Sequence, residues 1–166
     1  IVVLMFLLLS GTKFNSLDFI TLQSVIPVFL INLTSGPIGE ELGWRGYALN
    51  KLQEKYSPLM ASIILGLLWG FWHMPLWFLS GYTGLQLFYY IIAFLIGVIS
   101  LSVIITFFYN KSKNILIAMW IHFWFNFLLK IVEIELLTLL IYTSLIYFIF
   151  TSILVIIKRK EFLQLK

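Results

Sequence analysis

The feature that most constrains this chain is a series of long apolar runs that contain no Asp, Glu, Lys or Arg. The longest of them cover residues 59–79, 85–109, 115–129 and 136–157. A helix needs about 20 apolar residues to cross the hydrocarbon of a bilayer. Because lipid offers no hydrogen-bond partners to an open backbone, the runs predict an all-α fold, a polytopic transmembrane helix bundle.

The first third of the chain is less regular. Residues 1–9 are apolar without an initiator Met, a basic segment or a cleavage site, so we interpret them as the end of a transmembrane helix whose preceding helices are missing. Residues 19–33 form a short apolar segment that ends at a Thr-Ser-Gly-Pro sequence. Since Pro37 suits the first turn of a helix, a separate helix is predicted over residues 38–55. We treat residues 1–166 as a single integral-membrane domain.

Composition supports a membrane location and argues against nucleic-acid binding. The chain is 61% hydrophobic and 11% charged, which is too little charge for the surface of a soluble domain of this size. The net charge of +4 comes from Lys and Arg in the connectors and the C-terminal tail, where it indicates topology. If Lys158, Arg159 and Lys160 are cytoplasmic, the basic connectors of the last four spans fall on the same side, apart from Lys130. The absence of cysteine excludes thiol catalysis and Cys-ligated zinc.

The densest charge cluster is the Glu-Glu-x-x-x-Arg sequence that starts at Glu40. Glu41 and Arg45 are four residues apart, so on a helix they share a face and can pair. Glu40 lies about 100° around the helix from Glu41 and has no such partner. We therefore predict that Glu41 and Arg45 have a structural role and that Glu40 is free to act as a general base.

Both histidines of the chain lie inside apolar runs, where ionisable groups are costly and usually functional. His122 and Asn126 share one helix face and can donate hydrogen bonds to an oxyanion. In straight parallel helices His73 would lie about 22 Å deep and His122 about 10 Å, so an active site requires a kink at Pro75 or a tilted helix.

Glycine pairs and tryptophans near these motifs suggest how the helices pack. The pairs Gly39/Gly43 and Gly66/Gly70 have the i, i+4 spacing that permits close helix contact, which would bring Glu40 to the His73 helix. The six tryptophans are interpreted as packing and interface residues.

These residues together resemble the CAAX protease and bacteriocin-processing (CPBP) family, which includes the type II CAAX prenyl endopeptidases. The ordered motifs are Glu-Glu-x-x-x-Arg, aromatic-x-x-x-His (Trp69 to His73, where Phe is the more usual first residue) and His-x-x-x-Asn (His122 to Asn126), within residues 31–127. The resemblance implies an intramembrane endopeptidase. In it, Glu40 with His73 would activate a water and His122 with Asn126 would hold the oxyanion.

Several alternatives stay open at this level. Glu40, His73 and His122 would form a set able to bind catalytic zinc, although no His-Glu-x-x-His pair pre-forms two ligands; we favour no obligatory metal. A bacteriocin-immunity or scaffolding protein, or a transporter, would be compatible with the same residues. Expected partners are membrane lipids and a peptide or protein substrate, with no nucleic acid. The Ile- and Lys-rich composition suggests a bacterial plasma membrane.

Overall fold

The computed structural model describes Leu7 and residues 17–164. Within residues 17–164 the chain forms helices throughout, with one isolated antiparallel bridge between Phe19 and Val132 and no β-strand. The helices are α1 (Leu22–Gln53), α2 (Pro58–Trp72), α3 (Met74–Leu79), α4 (Gly84–Ser112), α5 (Ile115–Ile131), α6 (Leu136–Ile157) and α7 (Arg159–Leu163). The predicted all-α bundle is confirmed, while the interpretation of residues 1–9 falls, apart from Leu7, outside the described residues.

Three of these helices are long and apolar enough to cross a membrane: α1 with 32 residues, α4 with 29 and α6 with 22. The helices α2 and α5 are apolar but shorter, with 15 and 17 residues. Many large hydrophobic side chains are exposed on the outside of the bundle, as expected where lipid replaces water. The described part of the chain is therefore that of an integral membrane protein.

The predicted break before Pro37 is wrong, because α1 runs through it without interruption. Two π-helical segments, Thr34–Ile38 and Trp44–Ala48, lie within this helix. A π-turn changes the hydrogen-bond register, which accommodates a proline that has no N–H to donate. In the turn before it, Oγ1 of Thr34 donates to the Leu30 carbonyl at 2.9 Å and Oγ of Ser35 to the Ile31 carbonyl at 2.6 Å.

The predicted single span over residues 59–79 is divided at His73. Helix α2 ends at Trp72, His73 has φ −83° and ψ 0°, and Pro75 stands in the first turn of α3. Pro75 has no N–H to donate, so it cannot continue the hydrogen-bond ladder of α2. His73 therefore lies at the end of a helix rather than within one.

Helix α4 packs against α2, α5 and α6 and forms the centre of the bundle. An ideal Cβ on Gly66 would lie 2.8 Å from the Ile99 Cα, and one on Gly70 would lie 2.6 Å from Leu95 Cδ2, so both glycines permit close contact of α2 with α4. A Cβ on Gly39 or Gly43 would meet nothing within 4 Å. The prediction that these two glycines bring Glu40 to the His73 helix is therefore wrong, since that face of α1 is open.

The C-terminal end of α1 is tied to the end of α4 by amide side chains. Gln53 and Asn110 exchange hydrogen bonds of 3.3 and 2.7 Å, and Nδ2 of Asn50 lies 3.2 Å from the hydroxyl of Tyr109. These contacts fix the rotation of α1 about its own axis relative to the bundle core. The rotation decides which α1 side chains face α2 and α5.

Candidate functional site

The most buried part of the site is a cluster of Glu41, Arg45 and His122. Oε1 of Glu41 accepts from Nη1 of Arg45 at 2.9 Å, and the same oxygen lies 2.9 Å from Nδ1 of His122. All three side chains are almost completely enclosed, at 0%, 0% and 2% exposure. The predicted Glu41–Arg45 pair is confirmed. Glu41 also orients the imidazole of a residue on α5, which links α1 to α5 through a carboxylate.

The carboxylate of Glu40 is held from α2 by the side chain of Trp69. The indole Nε1 of Trp69 donates to Oε2 of Glu40 at 2.7 Å, a short, charge-assisted hydrogen bond. On its ring face the same indole contacts the guanidinium of Arg45, whose Cζ lies 4.6 Å from the ring centroid. Glu40 thus reaches the His73 helix, as expected, but through an indole rather than through close contact of glycines.

His73 lies one turn beyond Trp69 and is half-buried. Its Nδ1 is 2.9 Å from the main-chain carbonyl oxygen of Trp69. A carbonyl only accepts, so Nδ1 carries the proton and Nε2 of the neutral ring is an acceptor. The rings of His73 and His122 lie 6.1 and 4.8 Å from the indole of Trp69. The indole of Trp69 therefore contacts both imidazoles, although straight parallel helices would place them at different depths. His73 lies at the end of α2, where the helix is broken.

Glu40, Asn126 and His122 all approach the main chain of α1 at Gly36. An ideal Cβ on Gly36 would lie 3.2 Å from Oε1 of Glu40, 3.5 Å from Nδ2 of Asn126 and 3.8 Å from Cε1 of His122. Gly36 is buried in the first π-helical segment of α1. A side chain at this position would press on Oε1 of Glu40, so the glycine lets the three side chains converge on the main chain of α1. A carboxylate oxygen and an amide nitrogen therefore both lie close to Gly36.

The structure brings together Glu40, Glu41, Arg45, His122 and Asn126, and it places His73 beside them through Trp69. Two residues of this arrangement were missed or undervalued at the sequence level: Gly36 and the hydrogen-bonding role of Trp69. A signal for each exists in the sequence. Gly36 precedes Glu40 by four residues, and Trp69 precedes His73 by four, so each shares a helix face with a candidate residue.

A metal centre was the optional role of Glu40, His73 and His122. Across residues 17–164 no group of three His, Asp or Glu side chains is arranged to hold a metal ion. Nδ1 of each imidazole and Oε2 of Glu40 are engaged by protein groups, which leaves Nε2 of each imidazole and Oε1 of Glu40 as the remaining donor atoms. The optional metal role of these residues stays a prediction.

Comparison with known proteins adds independent information. Residues 22–128 match a sequence model of a protein family, described as type II CAAX prenyl endopeptidase Rce1-like. This range includes every site residue described above. A protein named CAAX prenyl protease 2, from Methanococcus maripaludis, is 32% identical over 145 residues. The match covers 84% of this chain and 53% of that protein, so the chain spans about half the length of the curated relative.

Proposed function

Because the chain belongs to the Rce1-like family of type II CAAX prenyl endopeptidases, we propose that it is an intramembrane endopeptidase. In the proposed reaction Glu40 activates a water that hydrolyses a peptide bond. The observation that carries the proposal is the convergence at Gly36 of a carboxylate oxygen of Glu40 and the side-chain amide of Asn126. A base and an oxyanion donor close to each other are what addition of water to a carbonyl requires.

Glu40 supplies the base in this proposal. Its Oε2 is occupied by the indole of Trp69, so Oε1, which lies close to Gly36, takes the proton of the water. Nε2 of His73 accepts a hydrogen bond from the same water and orients it. The water oxygen bonds to the carbonyl carbon, and the proton on Glu40 then passes to the leaving amine as the C–N bond breaks.

Asn126 and His122 supply the oxyanion site. The Nδ2 of Asn126 donates to the carbonyl oxygen as negative charge develops there, without any change in its own protonation. Nδ1 of His122 donates to Glu41, so Nε2 of His122 donates to the oxyanion when the ring carries both protons. Glu41 then lies against both the imidazolium and the Arg45 guanidinium, so the cluster carries one net positive charge, which stabilises a neighbouring oxyanion.

The substrate proposed is a peptide or protein segment presented within the membrane. The chain acts as a multi-pass protein of a bacterial plasma membrane with its C-terminus in the cytoplasm, where Lys158 and Lys160 lie near anionic lipid headgroups. Prenylated C-termini and bacteriocin leader peptides are the two substrate types to compare.

The decisive experiment is a cleavage assay on a panel of both peptide types with purified protein in proteoliposomes. Glu40→Gln should lower kcat by about 10²- to 10⁴-fold, the contribution of a positioned general base. Glu54→Gln is the matched control, because Glu54 is exposed and, among the described residues, pairs only with Lys51. Cleavage that survives Glu40→Gln would overturn the role of Glu40. Repeating the assay with chelator, and then with added zinc, measures metal dependence directly.

Two other classes of protein, a scaffold and a transporter, would give different results in these experiments. If the chain were a scaffold, Glu40→Gln would preserve partner binding or immunity and the wild type would cleave nothing. If it were a transporter, wild-type proteoliposomes would carry a proton or solute flux that Glu40→Gln abolishes.

A further inference from the structure

Trp69 contacts three of the proposed catalytic residues, which lie on three different parts of the chain. Its indole N–H donates to Glu40, its main-chain carbonyl accepts from His73, and the edge-on ring packs on His122 at 4.8 Å between centroids. We propose that Trp69 is a positioning residue, which selects Oε1 of Glu40 as the base and holds that oxygen toward Gly36. This inference rests on the proposed function.

The chemistry of an indole explains why the contact is selective. The indole nitrogen is a donor only, so it binds a carboxylate oxygen in one orientation and cannot exchange roles with it. With Oε2 held at 2.7 Å, rotation of the Glu40 carboxylate is restricted. Oε1 is the oxygen that lies 3.2 Å from the position of a Cβ on Gly36. The indole N–H of Trp69 therefore engages Oε2 of Glu40 and leaves Oε1 to act as the base.

The surroundings of Trp69 hold the indole itself in place. The side chain is 2% exposed, and its face lies against the Arg45 guanidinium, which is fixed in turn by Glu41. A cation on the ring face polarises the π-system and strengthens the donor character of the N–H group. The structural pair Glu41–Arg45 is thereby connected to the proposed base through one buried aromatic ring.

The chain offers a matched control for this role. Trp77 is also buried, at 4% exposure, and its Nε1 has no hydrogen-bond partner among the described residues. It packs on Phe71 and Phe94, away from Glu40. Trp69→Phe and Trp77→Phe therefore remove the same atoms from two buried sites. Only the change at Trp69 removes a hydrogen bond.

The kinetic test compares both variants with wild type in the cleavage assay. Trp69→Phe should lower kcat by about tenfold to a hundredfold, the range for losing a hydrogen bond to a charged group, while KM changes by less than about threefold. Trp77→Phe should leave kcat within about twofold. A purely structural role for Trp69 would instead lower the melting temperature below that of Trp77→Phe and leave kcat of the folded fraction unchanged.

A spectroscopic test detects the hydrogen bond without any activity. Protein labelled with ¹⁵N at its six tryptophans gives indole N–H resonances, and the two Phe variants identify those of Trp69 and Trp77. Glu40→Ala should shift the Trp69 resonance upfield and leave that of Trp77 in place. A Trp69 resonance that does not respond to Glu40→Ala would overturn the proposal.

The outcomes separate this inference from the function it rests on. Active wild-type protein whose kcat is unchanged by Trp69→Phe overturns the positioning role alone. Wild-type protein that cleaves no peptide of the panel overturns the proposed function, and with it the catalytic meaning of the contact, even if the resonance shift shows that the hydrogen bond exists.

Discussion

Nδ1 of His122 lies 2.9 Å from Oε1 of Glu41, although the two residues are 81 positions apart in the chain. The same oxygen accepts from Arg45, so one buried carboxylate oxygen is shared by a cation of its own helix and an imidazole of α5. Burial of charge is costly unless it is paired and hydrogen-bonded. The contact therefore makes the stability of the α1–α5 interface depend on a residue that lies next to the proposed base.

Removing the charge of Glu41 should strongly destabilise the protein. Glu41→Gln leaves the guanidinium of Arg45 buried without a counter-charge, which we expect to cost about 3–5 kcal/mol of unfolding free energy. Unfolding in mixed micelles with increasing SDS measures the change. Glu54→Gln breaks an exposed pair with Lys51 and should cost less than about 1 kcal/mol. Equal effects of the two substitutions would contradict the structural role of Glu41.

A side chain at Gly36 should lower activity strongly while the fold persists. In Gly36→Ala the new methyl group would lie 3.2 Å from Oε1 of Glu40 and 3.5 Å from Nδ2 of Asn126, so the proposed base would be displaced. We expect kcat/KM to fall by at least about 10²-fold, as for displaced reacting atoms. Gly39→Ala is the control, because a Cβ there meets nothing within 4 Å. If Gly36→Ala cleaved peptides as fast as Gly39→Ala, the reacting group would have to lie elsewhere.

Close contact between α2 and α4 should make Gly66 intolerant of a side chain. Gly66→Ala places a Cβ 2.8 Å from the Cα of Ile99, a main-chain atom that cannot rotate away. Overpacking of this kind costs about 1–3 kcal/mol. Gly43→Ala, on the open face of α1, should be neutral or slightly stabilising because alanine favours helix more than glycine does. Thermal unfolding of both variants in detergent tests this difference, and a Gly66→Ala protein as stable as Gly43→Ala would refute the packing of these helices.

Stability at low pH should depend on Glu135, which caps α6 outside the membrane. Burial by itself raises the pKa of Glu135, but hydrogen bonds from the Tyr82 hydroxyl and the N–H groups of Thr138 and Leu137 outweigh it and lower the pKa from about 4.5 to about 2. A depressed pKa contributes stability above the unfolded value, and that contribution is lost as the pH falls from about 4.5 to about 2.

The corresponding variant is Glu135→Ala, which should be less stable than wild type at pH 7 by about 1 kcal/mol, the usual effect of a lost N-cap. The difference should shrink when the melting temperatures are compared at pH 3. Glu133→Ala, two residues earlier and not a cap, should show no such trend. A constant difference between pH 7 and pH 3 would mean that the charge of Glu135 is not involved.

The sequence by itself determined the class of fold and the local pairings. Uncharged runs of about 20 residues admit only helices in lipid, and the span 136–157 agrees with α6 residue for residue. The pair Glu41–Arg45 was predictable because partners four residues apart on one helix meet whatever the rest of the chain does. The family resemblance likewise depends on motifs that are short and local.

Tertiary structure alone decided how α1 continues through Pro37 and which groups meet at the site. A local rule places proline at the start of a helix, but the π-helical segment keeps α1 intact and buries Gly36 close to Asn126. The bonds of Trp69 to Glu40 and of His122 to Glu41 join residues 29 and 81 positions apart. Such contacts depend on the rotation and tilt of whole helices, which result from the packing of α4 against its neighbours and not from any spacing within one helix.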